Sequence, residues 1–163
     1  MTPDLIIKGG LLPDGTQADI AIAKGRITAV EPGITARAAQ VIDATGKLVS
    51  APLIDCHFHM DATLSYGRPR VNASGTLLEG IALWGELKRL QSRDDIIARA
   101  LDYCAQAMAK GVLAIRSHVD VTDPSFRTVE ALLEVREIIR GKMDLQLVAF
   151  PQDGWLRAPG AEA

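Results

Sequence analysis

With 163 residues, 48% of them hydrophobic and 23% charged, and a formal net charge of -2, the chain has the composition of one soluble globular unit. The balance shows no basic excess of the kind that binds nucleic acid, and no apolar run approaches the ~20 residues needed to cross a bilayer. The opening segment, Met1 to Lys8, lacks a basic region followed by a long apolar stretch, so a cytoplasmic location without membrane attachment is expected.

Residues 4 to 50 read as short strands joined by tight turns. Leu5-Ile6-Ile7 runs into Gly9-Gly10, and Asp14-Gly15 marks a turn soon after. Ile20 to Ala23 and Arg26 to Val30 flank Lys24-Gly25, a two-residue connection of the hairpin kind. A second pair, Val41-Ile42-Asp43 and Lys47-Leu48-Val49, brackets Ala44-Thr45-Gly46. Together these predict a first domain over 1–50, a small β-sandwich or part of one. Its glycines form turns and match no phosphate-binding pattern.

From Ala51 the rhythm changes to short apolar runs alternating with helical periodicity, which defines a second domain over 51–163. The stretch Ala51 to Asp61 starts apolar enough to be a buried strand and ends in two histidines separated by one residue. Ser74 is placed to cap a helix with apolar positions Leu77, Leu78, Ile81, Trp84 and Leu87. Ser92, with Asp95 three residues on, caps the next in the manner of a capping box, and Ile96, Ile97, Ala100, Leu101, Cys104 and Met108 form its stripe up to Gly111. Val112 to Ile115 is a second strand. Asp123-Pro124 caps a third helix carrying Phe126, Val129, Leu132, Leu133, Ile138 and Ile139, with Gly141 as its stop. Leu145 to Phe150 is a third strand. The two cysteines, Cys56 and Cys104, lie far apart in apolar segments and are expected as reduced core thiols. Trp84 and Trp155 are assigned to packing, and the charges from Glu130 to Arg140 to a solvated helix face.

Strand, helix, strand, helix, strand is the pattern of parallel β/α units. Each strand is followed by side chains able to do chemistry: His57, His59 and Asp61; His118 and Asp120; Gln152 and Asp153. On a strand, residues i and i+2 project to the same side, so His57 and His59 can aim two imidazoles at one point while Phe58 faces away. Such a pair suits a borderline metal such as zinc or iron, although His-x-His alone equally describes two hydrogen-bonded strand histidines. Active sites of parallel barrels are built at the C-terminal mouth, and three polar clusters at one such rim favour the metal. His57, His59 and His118 would also satisfy a three-histidine zinc site.

These residues carry a family resemblance. His57-Phe58-His59-Met60-Asp61, Ser74 to Ile81, Ser117-His118-Val119-Asp120 and Leu147 to Gly154 resemble the cytosine deaminase branch of the amidohydrolase superfamily, through nearly the whole chain. The resemblance implies a distorted (β/α)8 TIM barrel holding one divalent metal ion, iron or zinc, and hydrolytic removal of the exocyclic amine from cytosine or a related pyrimidine-like ring. It matches His57 and His59 to the first two metal ligands, Gln152 to a glutamine on the amide-like edge of the base, and Leu77 to a pocket-lining residue. His118 and Asp120 match a motif of the pocket wall or of the layer behind the ligands. For Leu77 simple helix packing is an equal reading, and for Asp120 so is capping of the following turn. The family takes its remaining ligands, a histidine and an aspartate, from later strands. Its acid/base glutamate and a further catalytic histidine lie there too, so no catalytic acid or base is assigned within this chain.

A barrel of this kind needs eight strands and usually ~250 residues, and only three units are present here. The chain ends at Ala158 to Ala163, where the helix after the third strand is expected. It is therefore expected to be the N-terminal part of a longer protein or a truncated product, inactive alone, with the full-length protein a homo-oligomer. Isoguanine or a triazine ring of the N-isopropylammelide kind is the alternative substrate. The reading from a different class is a non-catalytic fragment that needs a complementary chain.

Overall fold

A computed structural model describes residues 2–158. The chain divides into two compact units, Met1–Ala51 and Pro52–Ala163. In the first, β1 (Leu5–Leu11), β2 (Gln17–Ala23), β3 (Arg26–Glu31) and β4 (Gln40–Asp43) form one sheet in the order β3-β2-β1-β4. Lys24 and Gly25 both have positive φ, 51° and 72°, which gives the connection of β2 to β3 the twist a two-residue hairpin needs.

Two expectations change in this unit. Gly9-Gly10 is not a turn but lies inside β1, at a shift of register between Ile7 and Gly10. A Cβ on Gly10 would stand 2.5 Å from Val49 Cγ2, so the close approach of the 47–49 segment is what requires glycine there. The segments around Ala44 to Gly46 are not a hairpin. β4 runs parallel to β1, and Leu48 continues the same way as a parallel bridge to Leu11, because the turn between them passes the chain onward along one edge. Among the described residues this unit has one sheet. Its polar centre is Asp19, which is buried and accepts from Lys8 Nζ at 2.9 Å, Gly9 N at 2.8 Å and Ile34 N at 2.9 Å. The Lys8 hydrogen bond, then that from Gly9, hold its carboxyl below the ordinary carboxylate range.

In the second unit, β5 (Leu53–Phe58), β6 (Val112–Asp120) and β7 (Asp144–Phe150) form a parallel sheet in the order β5-β6-β7. Its helices are α1 (Leu77–Leu90), α2 (Arg93–Ala109) and α3 (Arg127–Ile138). α2 and α3 pack on one face, where Ile115 and Val119 of β6 meet Ile96 and Cys104 of α2 and Leu132 and Val135 of α3, all buried. The opposite face is uncovered among the described residues: Ile54 is 67% exposed, and Cys56 and Arg116 are also exposed. Parallel sheets are ordinarily covered on both faces. β7 is an edge strand, as expected of the third strand, and the helix expected at 159–163 lies outside the described residues.

Ser92 caps α2 as expected, its hydroxyl accepting from Asp95 N. The Asp95 carboxylate, however, pairs with Arg68 and Arg99 and leaves the box half made. α1 is capped by Thr76 rather than Ser74, whose hydroxyl instead reaches Glu79. Leu77 and Leu78 are each 79% exposed, since only the C-terminal half of α1, through Trp84 and Leu87, meets the core. Its first turn is tied to the preceding loop by polar contacts from Arg70 to Glu79 and from Asn72 to Thr76. α3 begins at Arg127, and Asp123 closes only a local turn onto Ser125. Phe126, at φ 49°, ends that turn and is exposed, as are Leu133 and Ile138. The buried stripe is Thr128, Ala131, Leu132, Val135 and Ile139. Both cysteines are free, but Cys56 is not a core thiol, because it lies on the uncovered face.

Leu132→Ala should destabilise the second unit by about 2–5 kcal/mol in urea unfolding, the range for deleting a fully buried leucine side chain. In the folded chain a thiol-exchange reagent should modify Cys56 alone. Burial pushes the Cys104 thiol up to about 11, and it should react only after denaturation.

Candidate functional site

The parallel register brings the C-terminal ends of β5, β6 and β7 to one edge of the sheet. Ile115, Ser117 and Val119 of β6 point to the helices, so His118, one residue out of phase, shares the uncovered face with Ala114 and Arg116. Three imidazoles meet there. His57 and His118 stack with centroids 4.1 Å apart and planes at 23°, while His59 stands 5.3 Å from His57 and 5.9 Å from His118. Phe150, at the end of β7, packs edge-on against His59 and His118. Phe58 turns the other way and stacks on Tyr103 of α2, the alternation expected of a strand.

Burial, followed by the neighbouring charges of His57 and His118, holds the His59 imidazole below its ordinary pKa. It is neutral at neutral pH, the form that ligates a metal. His118 Nδ1 is buried and has no hydrogen-bond partner among the described residues. Among those residues no three His, Cys, Asp or Glu side chains are arranged as a metal site, so the three-histidine alternative is not formed. The donor chemistry nonetheless fits a divalent ion: a neutral imidazole lies 5.3 Å, ring to ring, from its i+2 neighbour, beside a buried nitrogen still lacking a polar partner.

Behind the histidines lies a polar network that periodicity did not reveal. Met60 N donates to Ser117 Oγ at 2.9 Å, and Asp120 N donates to Asp61 Oδ2 at 3.0 Å. Burial pushes the Asp61 carboxyl up to about 6, against the hydrogen bond it accepts from Asp120 N. Arg99 is buried and holds the same turn by donating to the carbonyls of Asp61 and Thr63 and to Gln91 Oε1.

Asp120 is 3% exposed and is the hub of this end of the sheet. It accepts from Trp84 Nε1 at 2.6 Å, Lys88 Nζ at 3.1 Å and Thr122 Oγ1 at 2.6 Å. Burial works against its ionisation, but hydrogen bonds from Thr122 and Trp84 hold its carboxyl below the ordinary range. It therefore closes a turn onto Thr122 and also anchors α1. Trp84 does more than pack. Lys88 had a signal in the sequence, a cation one helical turn beyond Trp84 on the inward face of α1.

Gln152 is half-buried in the turn two residues past β7, at the same end of the sheet as the histidines. Leu77 is exposed and is brought together with neither the histidines nor the core.

Residues 40–158 match the Amidohydrolase family, and the chain belongs to that family. It is similar to 5-methylcytosine deaminase from Klebsiella pneumoniae, solved with 5-fluorocytosine, at a TM-score of 0.87 and 36% identity, covering 96% of this chain and 38% of that one. It is also similar to N-isopropylammelide isopropylaminohydrolase from Burkholderia multivorans, at a TM-score of 0.76 and 31% identity, covering 99% of this chain and 41% of that one. Among curated relatives, N-isopropylammelide isopropyl amidohydrolase of Pseudomonas sp. (strain ADP) is 32% identical over 158 residues, 93% of this chain and 39% of its own length. The chain thus spans about two fifths of the relatives it matches. Its fold is the mixed α/β fold of these amidohydrolases without a closed barrel, and no helix among the described residues is long and apolar enough to cross a membrane.

Asp61→Ala should cost about 1–3 kcal/mol in urea unfolding at neutral pH, because it strands the buried Asp120 N–H. Asp61→Asn, which keeps an acceptor in place and removes a desolvated charge, should cost less. The reverse order would mean that the carboxylate is not held for that N–H.

Proposed function

We propose that this chain is the amino-terminal part of a metal-dependent aminohydrolase that releases ammonia from cytosine or a closely related pyrimidine-like ring. In this reading the second unit forms the first three β/α units of a distorted (β/α)8 barrel, and His57 and His59 supply two ligands to one iron or zinc ion. The observation that carries it is the convergence of His57, His59 and His118 on the open face, at the end of the sheet that also carries Gln152. The uncovered sheet face supports the view that further chain completes the barrel.

A divalent ion at such a site supplies the acidity that activates water for attack on the ring carbon bearing the amine. This chain's own residues do the rest of the positioning. His59 offers an imidazole already neutral at working pH. Gln152 carries both a donor and an acceptor, which match the N–H and carbonyl edge of a pyrimidinone. His118 and Asp120 line and brace the wall behind the ligand pair. The acid/base groups belong to the remaining part of the protein.

The similarity to two N-isopropylammelide hydrolases favours a second reading, in which the ring is a triazine and the departing group a substituted amine.

The protein completed by its remaining segments should bind about one equivalent of iron or zinc and release ammonia from cytosine. His57→Ala and His59→Ala should each lower metal affinity by at least the roughly 10–100-fold seen on losing an outer partner of a ligand. Metal analysis reads this independently of turnover. The 163-residue chain alone should retain little metal and release no ammonia. Isopropylamine from N-isopropylammelide without ammonia from cytosine would select the second reading. Undiminished metal binding in both histidine variants would overturn both.

A further inference from the structure

The turn after β7 is closed by Gly154 N to Pro151 O at 2.9 Å, and Arg157 N and Ala158 N both donate to Gly154 O at 3.1 Å, while at its base Val121 N donates to Phe150 O at 3.1 Å. Past that backbone bond, the side chain that ties the turn to the end of β6 is Asp153, whose carboxylate meets Lys88 Nζ at 2.5 Å and Thr122 Oγ1 at 3.2 Å. Lys88 lies on α1 with its side chain 12% exposed, and it donates to Asp120 Oδ2 at 3.1 Å and Thr122 Oγ1 at 3.0 Å as well. An ammonium has three donors, and all three are committed. Lys88 therefore has no free N–H for a substrate and is built as a clamp between two carboxylates.

We propose that Lys88 is a positioning residue for the substrate contact carried by Gln152, its ammonium holding the turn after β7 onto the end of β6. The proposal rests on the reading above that Gln152 meets the base. Asp120 is fixed from its other sides by Trp84 and by the Thr122 turn, so it stays in place when Lys88 is lost. Asp153 is 38% exposed and has no such support. With the cation gone, two carboxylates face one another, and the exposed one swings into solvent and takes Gln152 with it.

The test is hydrogen–deuterium exchange on the chain, with cytosine kinetics on the completed, metal-loaded enzyme. In Lys88→Met, peptides covering 151–157 should exchange about tenfold faster, while those of α2 and α3 keep their rates. The KM for cytosine should rise about tenfold or more, as expected when a contact residue is misplaced, with kcat changed less than about threefold. A merely structural role would lower the amount of active enzyme and leave KM alone. Lys88→Arg should restore most of both effects. Unchanged exchange at 151–157 in Lys88→Met overturns the proposal, as does a KM that Gln152→Ala raises and Lys88→Met does not.

Should Lys88→Met fail to fold, Asp153→Asn serves instead, since it leaves the Lys88–Asp120 pair intact. It should loosen the same peptides, and wild-type exchange there overturns the proposal. If Gln152→Ala leaves KM unmoved while Lys88→Met loosens the turn, the base-contact reading falls and the clamp stands.

Discussion

The candidate site depends on a reciprocal pair of hydrogen bonds between the turn after β5 and the body of β6. Ser117 accepts from the backbone at Met60, and Asp61 accepts from the backbone at Asp120. The regular ladder between these strands slips between Asp55 and Phe58 and reaches its last paired position at Phe58 and Ser117. Beyond that point the chain must leave the sheet for the short 3₁₀ turn Met60–Ala62, deep enough that water cannot satisfy its amides. Side chains take over from the ladder. An unpaired buried N–H costs about as much as a lost hydrogen bond, which gives a buried aspartate a structural reason to exist despite its desolvation.

That lock sets where the imidazoles stand. His59 is the residue just before the locked turn, and His118 lies between Ser117 and Asp120 on β6, so the two bonds straddle His118 and fix the chain immediately after His59. The same edge then splits into two chemically different sides. Toward the uncovered face lie the imidazoles and Phe150; toward α1 lie Asp120, Lys88, Thr122 and Asp153. One helix, one strand end and one turn share a single ammonium, while α2 and α3 pack their apolar stripes on the far face and α2 adds Arg99 to hold the turn after β5.

Local periodicity carried much of this and missed a definable remainder. The alternation of β/α units, the Lys24-Gly25 hairpin, the Ser92 cap and the pairing of His57 with His59 were all legible, because each is written within a few residues. β4 was misread as half of a hairpin because its partner, β1, lies more than thirty residues away, and nothing local tells a parallel partner from an antiparallel one. Leu77 and Leu78 have the spacing of a buried stripe but sit on a helical turn that projects beyond the core. Asp123-Pro124 has the chemistry of a helix cap and spends it on a single turn. Asp19, Asp61 and Arg99 left almost no trace, since the partners that bury them lie 8 to 59 residues away and a charged residue in a sequence gives no sign of being buried; Lys88 showed only its spacing from Trp84, its partners lying 32 to 65 residues away.

On the α1 side of this edge the charges are paired off, because Lys88 sits between two carboxylates that neutralise it. Its own burial acts to discharge it, yet the bonds to Asp153 and Asp120 outweigh that and keep it protonated above its ordinary range. Its charge is thus spent locally. On the other side, burial, then the charges of its neighbours, hold the His59 imidazole below its ordinary range. The edge therefore presents imidazoles on one side and, on the other, two carboxylates sharing one ammonium, and in the proposed reading it is the imidazole side that receives the divalent ion.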